Sequence, residues 1–305
     1  MSRAVALGYA LAVTGAALTS LKGVVAKLAY VGDVGAVVVL AGRAVAALPF
    51  VALLGLVAWR RRRARGEVLP GPRDLVVTAG IGAACYWLSA VMDFVALGMI
   101  SAYLERLLMY TQPAMVAVVG ALFMGIRISL PAAASIVVGY AGIAVSLSDS
   151  DAAVTSGDWS TLAVGSALVV IASAIAGTYN LFARPLILTY GARLTTAVAI
   201  SAACVAVLIH ATLSGDAVSL ASAVDGRMAV LMVTLALCSI VLPPLCAAAS
   251  MHHISAQAVA AVGMLGPPVT AITGAIFLGE VLTNADLVGL VLVVVGVESY
   301  AVVGR

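Results

Sequence analysis

The sequence predicts an all-α integral membrane protein whose ten transmembrane helices form two inverted five-helix repeats. Three observations carry this reading. The 305 residues are 64% hydrophobic and 10% charged, with a mean hydropathy of +1.18, whereas soluble domains run about 45 to 50% apolar and 25% charged. Ten windows reach the roughly 20 apolar residues that a helix needs to cross a hydrocarbon core about 30 Å thick. Finally, a stretch of the first half recurs in the second: a shift of 154 positions lays ISAYLERLLMYTQPAMVAVVGALFMGIRIS, from Ile100, over ISAQAVAAVGMLGPPVTAITGAIFLGEVLT, from Ile254. Ser101 and Ala102 fall on Ser255 and Ala256, Pro113 on Pro267, and Gly120, Ala121, Phe123 and Gly125 on Gly274, Ala275, Phe277 and Gly279.

The expected spans are 4–29, 35–59, 74–98, 101–125, 131–148, 160–183, 192–213, 228–250, 255–279 and 285–303. The first apolar run follows Arg3 as a signal peptide would, but it continues through Lys22 to Ala29 without a cleavage site and reads as the first transmembrane helix. No soluble domain is expected. With ten spans, Arg3, Arg60–Arg63, Arg65, Arg73, Arg127, Arg184, Arg193 and Arg305 share one side, while Asp33, Asp149, Asp151, Asp158, Asp216 and Asp225 lie on the other, with Arg227 as the main exception. The positive-inside rule then places the chain in the cytoplasmic membrane with both termini cytoplasmic. Five spans per half is an odd number, so residues 1–150 and 151–305 cross in opposite senses.

Inverted repeats are characteristic of secondary transporters, in which the substrate lies near the midplane and the moving helices are interrupted by Gly or Pro. Pro113 and the run Gly266, Pro267, Pro268 occupy the middles of spans four and nine and are the hinge candidates. Proline leaves a backbone carbonyl unbonded and bends a helix. The plainer reading is that these prolines only fit helix packing, because membrane helices tolerate them.

With those residues in place, the chain resembles a known family. The two halves, each ending in a glycine-punctuated fifth helix (Gly139 and Gly142; Gly289 and Gly296), are similar to the paired EamA domains of the drug/metabolite transporter superfamily. FLGEVLT at Phe277–Thr283 is the most specific match, and FMGIRIS at Phe123–Ser129 is a weaker partner lacking the acidic residue. SLKGVVAKLAY from Ser20 and ISAYLERLLMYTQP from Ile100 resemble a bacterial subgroup of that family. The resemblance covers essentially the whole chain. It implies an exporter or permease of small organic metabolites, with helices one to four and six to nine around a cavity and helices five and ten peripheral.

Charges inside spans are the remaining signal. An ionised side chain at a helix centre costs about 2.5 to 3.5 kcal/mol on insertion scales, so those that persist face partners or a wet cavity. Lys22, Arg43, Asp93, Glu105 and Arg106 fall on the first four spans, all in the outer half of the bilayer. Three cations against two carboxylates leave one positive group to meet an anionic substrate, such as an amino-acid-like or carboxylate-bearing metabolite. Tyr86, Ser89 and Asp93 make one polar stripe, Tyr103, Arg106 and Tyr110 another, and Glu105 with Gln112 a third. Tyr179 and Asn180 on span six would supply the far wall. A static salt bridge from Lys22 to Asp93 or Glu105 is the structural alternative. Proton coupling through Glu105 or Asp93 stays open, although the neighbouring cations oppose it. Lys27 reads as snorkelling, and Glu280 and Glu298 as interfacial.

Cys85, Cys204, Cys238 and Cys246 lie in apolar runs without CxxC spacing, and the adjacent His252 and His253 point to different faces, so neither a disulfide nor a metal site is expected. No cofactor and no nucleic-acid partner are expected; the partners are a small-molecule substrate and the lipid bilayer, with monomer and homodimer both open. A channel is the second functional reading, but charges confined to one half make a poor ring. An intramembrane enzyme is the third, disfavoured because GxSxG, HExxH, Asp-rich diphosphate and phosphate-loop motifs are all missing.

Overall fold

Long runs of Ala, Val, Leu and Gly leave the backbone only itself to bond with in hydrocarbon, and the chain answers with helices. A computed structural model describes residues 3–30, 34–125, 129–148 and 159–303, and no strand occurs among the described residues. Asp33, Arg127, Asp149, Asp151, Asp158 and Arg305 lie outside them. The helices are α1 (Arg3–Ala29), α2 (Ala36–Ala64), α3 (Pro72–Leu97), α4 (Ala102–Met109), α5 (Gln112–Met124), α6 (Leu130–Leu147), α7 (Trp159–Tyr190), α8 (Ala192–Leu213), α9 (Asp216–Ala223), α10 (Gly226–Ser250), α11 (Ala256–Gly263), α12 (Gly266–Leu278) and α13 (Asn284–Val303). Among the described residues, eight segments are long and apolar enough to cross a membrane, which makes this a multi-pass membrane protein. The other two expected spans, 101–125 and 285–303, correspond to the pair α4–α5 and to α13. Outward-facing Leu53, Ile276 and Val291, each more than half exposed, belong against lipid.

The repeat extends to local geometry at the same 154-residue shift. A π-helical turn widens α3 at Ala83–Trp87 and α10 at Leu237–Val241. Ser101 and Ser255 cap α4 and α11 by accepting from Leu104 N and Ala258 N. Gly125 and Gly279 end α5 and α12 in the left-handed region, at φ 66° and 69°, which glycine enters without a Cβ penalty.

Spans four and nine differ from the expected bent helices. Each is cut in two by a turn, at Tyr110–Thr111 and at Met264–Leu265, and Pro113 and Pro267 sit in the first turn of the helix that follows. The physical reason is that proline has no N–H to give an interior helical bond, whereas the first turn of a new helix does not need one. Three other boundaries shift. Helix α2 carries Arg60–Arg63 on its final turns, α7 continues through Pro185 to Tyr190, and the short α9 precedes α10.

Helices α6 and α13, corresponding to the expected fifth and tenth spans, pack on each other through glycine. A Cβ on Gly142 would lie 2.7 Å from Gly289 O, and one on Gly296 would lie 2.8 Å from Ser135 O. These two contacts interchange under the repeat shift, as a two-fold related interface requires. A Cβ on Gly139 would meet nothing within 4 Å. We therefore expect Gly142→Val to destabilise the protein by about 1 to 3 kcal/mol through overpacking, while Gly139→Ala leaves it near the parent. Thermal unfolding in detergent checks the contrast.

Candidate functional site

Lys22 sits inside α1, where a lysine cannot reach the headgroups, and its residue is 8% exposed. Its Nζ lies 2.7 Å from Asp93 Oδ2 on α3 and 2.9 Å from Glu105 Oε1 on α4. Both carboxylates are buried, Glu105 completely. Sequence explains the approach: Gly23 faces the start of α4, where a Cβ would already stand 3.2 Å from Ala102 Cβ. Glu105 occupies the first turn of α4, where the helix dipole favours a negative group. Thr270 on α12 donates to Ser20 O at 3.0 Å, so the second half is tied to α1 beside the triad.

The remaining charges arrange themselves around this centre without joining it. The Arg43 guanidinium lies 4.5 Å above the Phe94 ring, a cation–π contact next to Asp93. Tyr30 donates to Phe94 O at 2.7 Å. Arg106 leaves α4 beside Glu105 and stacks over the Tyr110 ring at 5.2 Å. Asp93 Oδ1, Glu105 Oε2, Arg43 Nε and Arg106 Nε are buried with no hydrogen-bond partner. A buried polar atom left unpaired costs about 1 to 3 kcal/mol.

Tyr110 brings the two helix breaks together. Its hydroxyl donates to Gly263 O, the last carbonyl of α11. A Cβ on Gly266 would overlap the Tyr110 hydroxyl and stand 2.9 Å from Arg106 Nη2, so the break in the second half can close on the first only as glycine. Gln112, opening α5, faces α7 at Gly177, where a Cβ would lie 3.4 Å from Gln112 Cγ. Tyr86 and Tyr179 pack with ring centroids 4.5 Å apart and planes tilted by 40°.

The expected site residues thus fall into three groups. Lys22, Asp93 and Glu105 meet directly, with Arg43 alongside; Arg106, Tyr110, Gly266 and Pro267 meet at the breaks; Tyr86 and Tyr179 meet between α3 and α7. Pro113 is exposed at the start of α5, with Pro268 in the corresponding turn of α12. Tyr103 departs from its stripe, since its buried hydroxyl donates to Asp286 O of α13 at 2.7 Å. The side chain of Asn180 lies outside the described residues.

Sequence reasoning missed a second polar centre. Glu280 accepts from Ala102 N at 2.7 Å and Tyr103 N at 3.2 Å, and lies 3.4 Å from Lys27 Nζ. These two residues, expected to be interfacial and snorkelling, are only 12% and 16% exposed at their side chains. Their partners are 178 and 253 positions from Glu280, beyond the reach of any helical spacing. A sequence signal existed in the extra carboxylate of FLGE where the first half has Ile126.

Paired broken helices beside a desolvated ion cluster describe a membrane transport protein. The chain belongs to the EamA-like transporter family, whose model matches residues 6–148 and again 163–298. It is 26% identical over 218 residues to the uncharacterized transporter YcbK of Bacillus subtilis (strain 168), covering 71% of this chain and 69% of that one. A crystal structure of another protein, 15% identical, matches with a TM-score of 0.58 over 98% of this chain and 97% of its own, which supports the fold.

Breaking a buried ion pair by removing one partner costs about 3 to 5 kcal/mol, because the other charge stays buried. Lys22→Ala strands two carboxylates, so we expect it to lose folded yield as well as activity. The charge-free combination Lys22→Met, Asp93→Asn, Glu105→Gln should regain most of the yield. Fluorescence-detected size-exclusion chromatography checks both.

Proposed function

We propose that the protein is a secondary transporter of small carboxylate-bearing organic metabolites, acting as an exporter or permease by alternating access. Its ten helices form two inverted repeats, 1–150 and 151–305, in the cytoplasmic membrane, with both termini cytoplasmic. The observation that carries the reading is the junction of the two broken helices: Tyr110 of the first half holds Gly263 of the second, and Arg106 lies against Gly266. Identical caps and turns at a 154-residue shift support two equivalent moving units. Pro113, Gly266, Pro267 and Pro268 then open the helices that follow the two breaks, where the half-helices pivot.

Within this reading, Lys22 is matched by Asp93 and Glu105, whereas Arg106 has no carboxylate partner among the described residues and is the cation that meets the substrate carboxylate. The triad carries one net negative charge, which a proton on Asp93 or Glu105 would neutralise, so the same site supports proton coupling. Closed packing around a fully buried Glu105 disfavours a continuous pore. No catalytic step is assigned.

The test is a thermal-shift screen of purified protein against amino acids and mono- and dicarboxylates, followed by counterflow of the stabilising compound in proteoliposomes. Saturable counterflow supports the carrier. Single-channel currents would overturn it in favour of a channel. We expect Arg106→Gln to lower carboxylate affinity about tenfold or more, as loss of a charge-assisted hydrogen bond does, with unchanged yield. We expect Glu105→Gln to flatten the pH dependence of counterflow measured with a transmembrane pH gradient.

A further inference from the structure

We propose that Glu280 is the latch that closes the charge triad to the outer side, a positioning residue acting through α4. This rests on the carrier reading and its orientation, in which Lys27, Ala102 and Glu280 all stand at outer helix ends.

The first turn of an α-helix has N–H groups with no intrahelical partner. In α4 these are divided between two suppliers: Ser101 Oγ takes Leu104 N at 3.1 Å, and Glu280 takes Ala102 N and Tyr103 N. Two of these three amides on the helix that bears Glu105 and Arg106 are therefore held from the opposite half of the protein. Its charge is favoured twice, by the positive end of α4 and by Lys27. Lys27 is five residues beyond Lys22 on α1, about 7.5 Å along the axis at 1.5 Å per residue. The latch thus sits one to two turns above the triad. Gly274 clears its seat, since a Cβ there would lie 2.8 Å from Glu280 Oε2. The asymmetry of the repeat supports a dedicated role: the equivalent position in the first half is Ile126, so only one such carboxylate exists.

When the halves separate on the outer side, Glu280 must leave α4, and both Lys27 and the helix N-terminus regain water. Loosening that contact shifts the population toward an outward-open state without touching the triad.

The experiment needs no substrate, so it can fail while the transport reading stands. Cys85, Cys204, Cys238 and Cys246 are replaced by Ala, and Ala26→Cys is introduced as a reporter. Ala26 is fully buried and one turn above Lys22. Labelling with a membrane-impermeant maleimide is followed on intact cells and on inverted vesicles. Glu280→Gln should accelerate labelling from the outside about tenfold, with no change from the inside. Lys27→Met should accelerate it less, because the helix cap remains, and Glu280→Asp should return the rate toward the parent. Unchanged labelling in both Glu280→Gln and Glu280→Ala would overturn the latch. Equal acceleration from both faces, which general loosening produces, would overturn it as well.

Discussion

A polypeptide in hydrocarbon must satisfy every backbone donor and acceptor from within, and this requirement governs what the chain does wherever it stops being a helix. Two breaks fall inside apolar spans, at Tyr110–Thr111 and Met264–Leu265, where the amides keep turn bonds to the preceding residues while a carbonyl such as Gly263 O is released. The protein supplies partners from across the repeat. At the breaks Tyr110 of the first half covers Gly263 O of the second and prolines occupy positions where no amide is missed, while at the start of α4 Glu280 of the second half takes the first two amides. Contacts between the halves are thus the same bonds that make the interruptions tolerable. A change in the relation of the halves must exchange them.

Around this frame the two copies have diverged in charge. The second half repeats the caps, the π turns and the left-handed glycines, but it places Gly263 and apolar neighbours where the first half has Met109, Arg106 and Glu105. The ion cluster is assembled from α1, α3 and α4, while the second half contributes backbone, Thr270 and Glu280. One half thus holds the ion cluster. The other supplies the surfaces that enclose it, through Gly266 at the breaks and Glu280 at the start of α4.

The membrane class, the repeat and the presence of Lys22, Asp93 and Glu105 inside spans were legible because each leaves a linear trace. Lipid demands long apolar runs, duplication preserves spacing, and a charge within such a run stands out. The form of the breaks was half legible: Pro113 and Pro267 announced an interruption, but whether a helix bends or ends depends on which groups take up the freed carbonyls. Tyr103 shows the opposite failure. Its spacing from Arg106 and Tyr110 was helical, yet α4 ends at Met109 and α13 offers Asp286 O to its hydroxyl. Glu280 was read as interfacial and Lys27 as snorkelling because their partners are far away in the chain.

The sequence by itself determined the architecture's units: helices of membrane length, their duplication, and an excess of charge in the first half. These follow from local composition and period, which act over one or two turns. Only the tertiary structure decided which charge meets which, that Arg106 stays apart from the triad, and that Glu280 caps the helix of the other half. Those outcomes depend on how closely helices approach, which is set by Gly23, Gly142, Gly266 and Gly289 and by the side chains facing them. Pairing between residues more than a hundred positions apart is a property of that packing, and no periodicity in the chain encodes it.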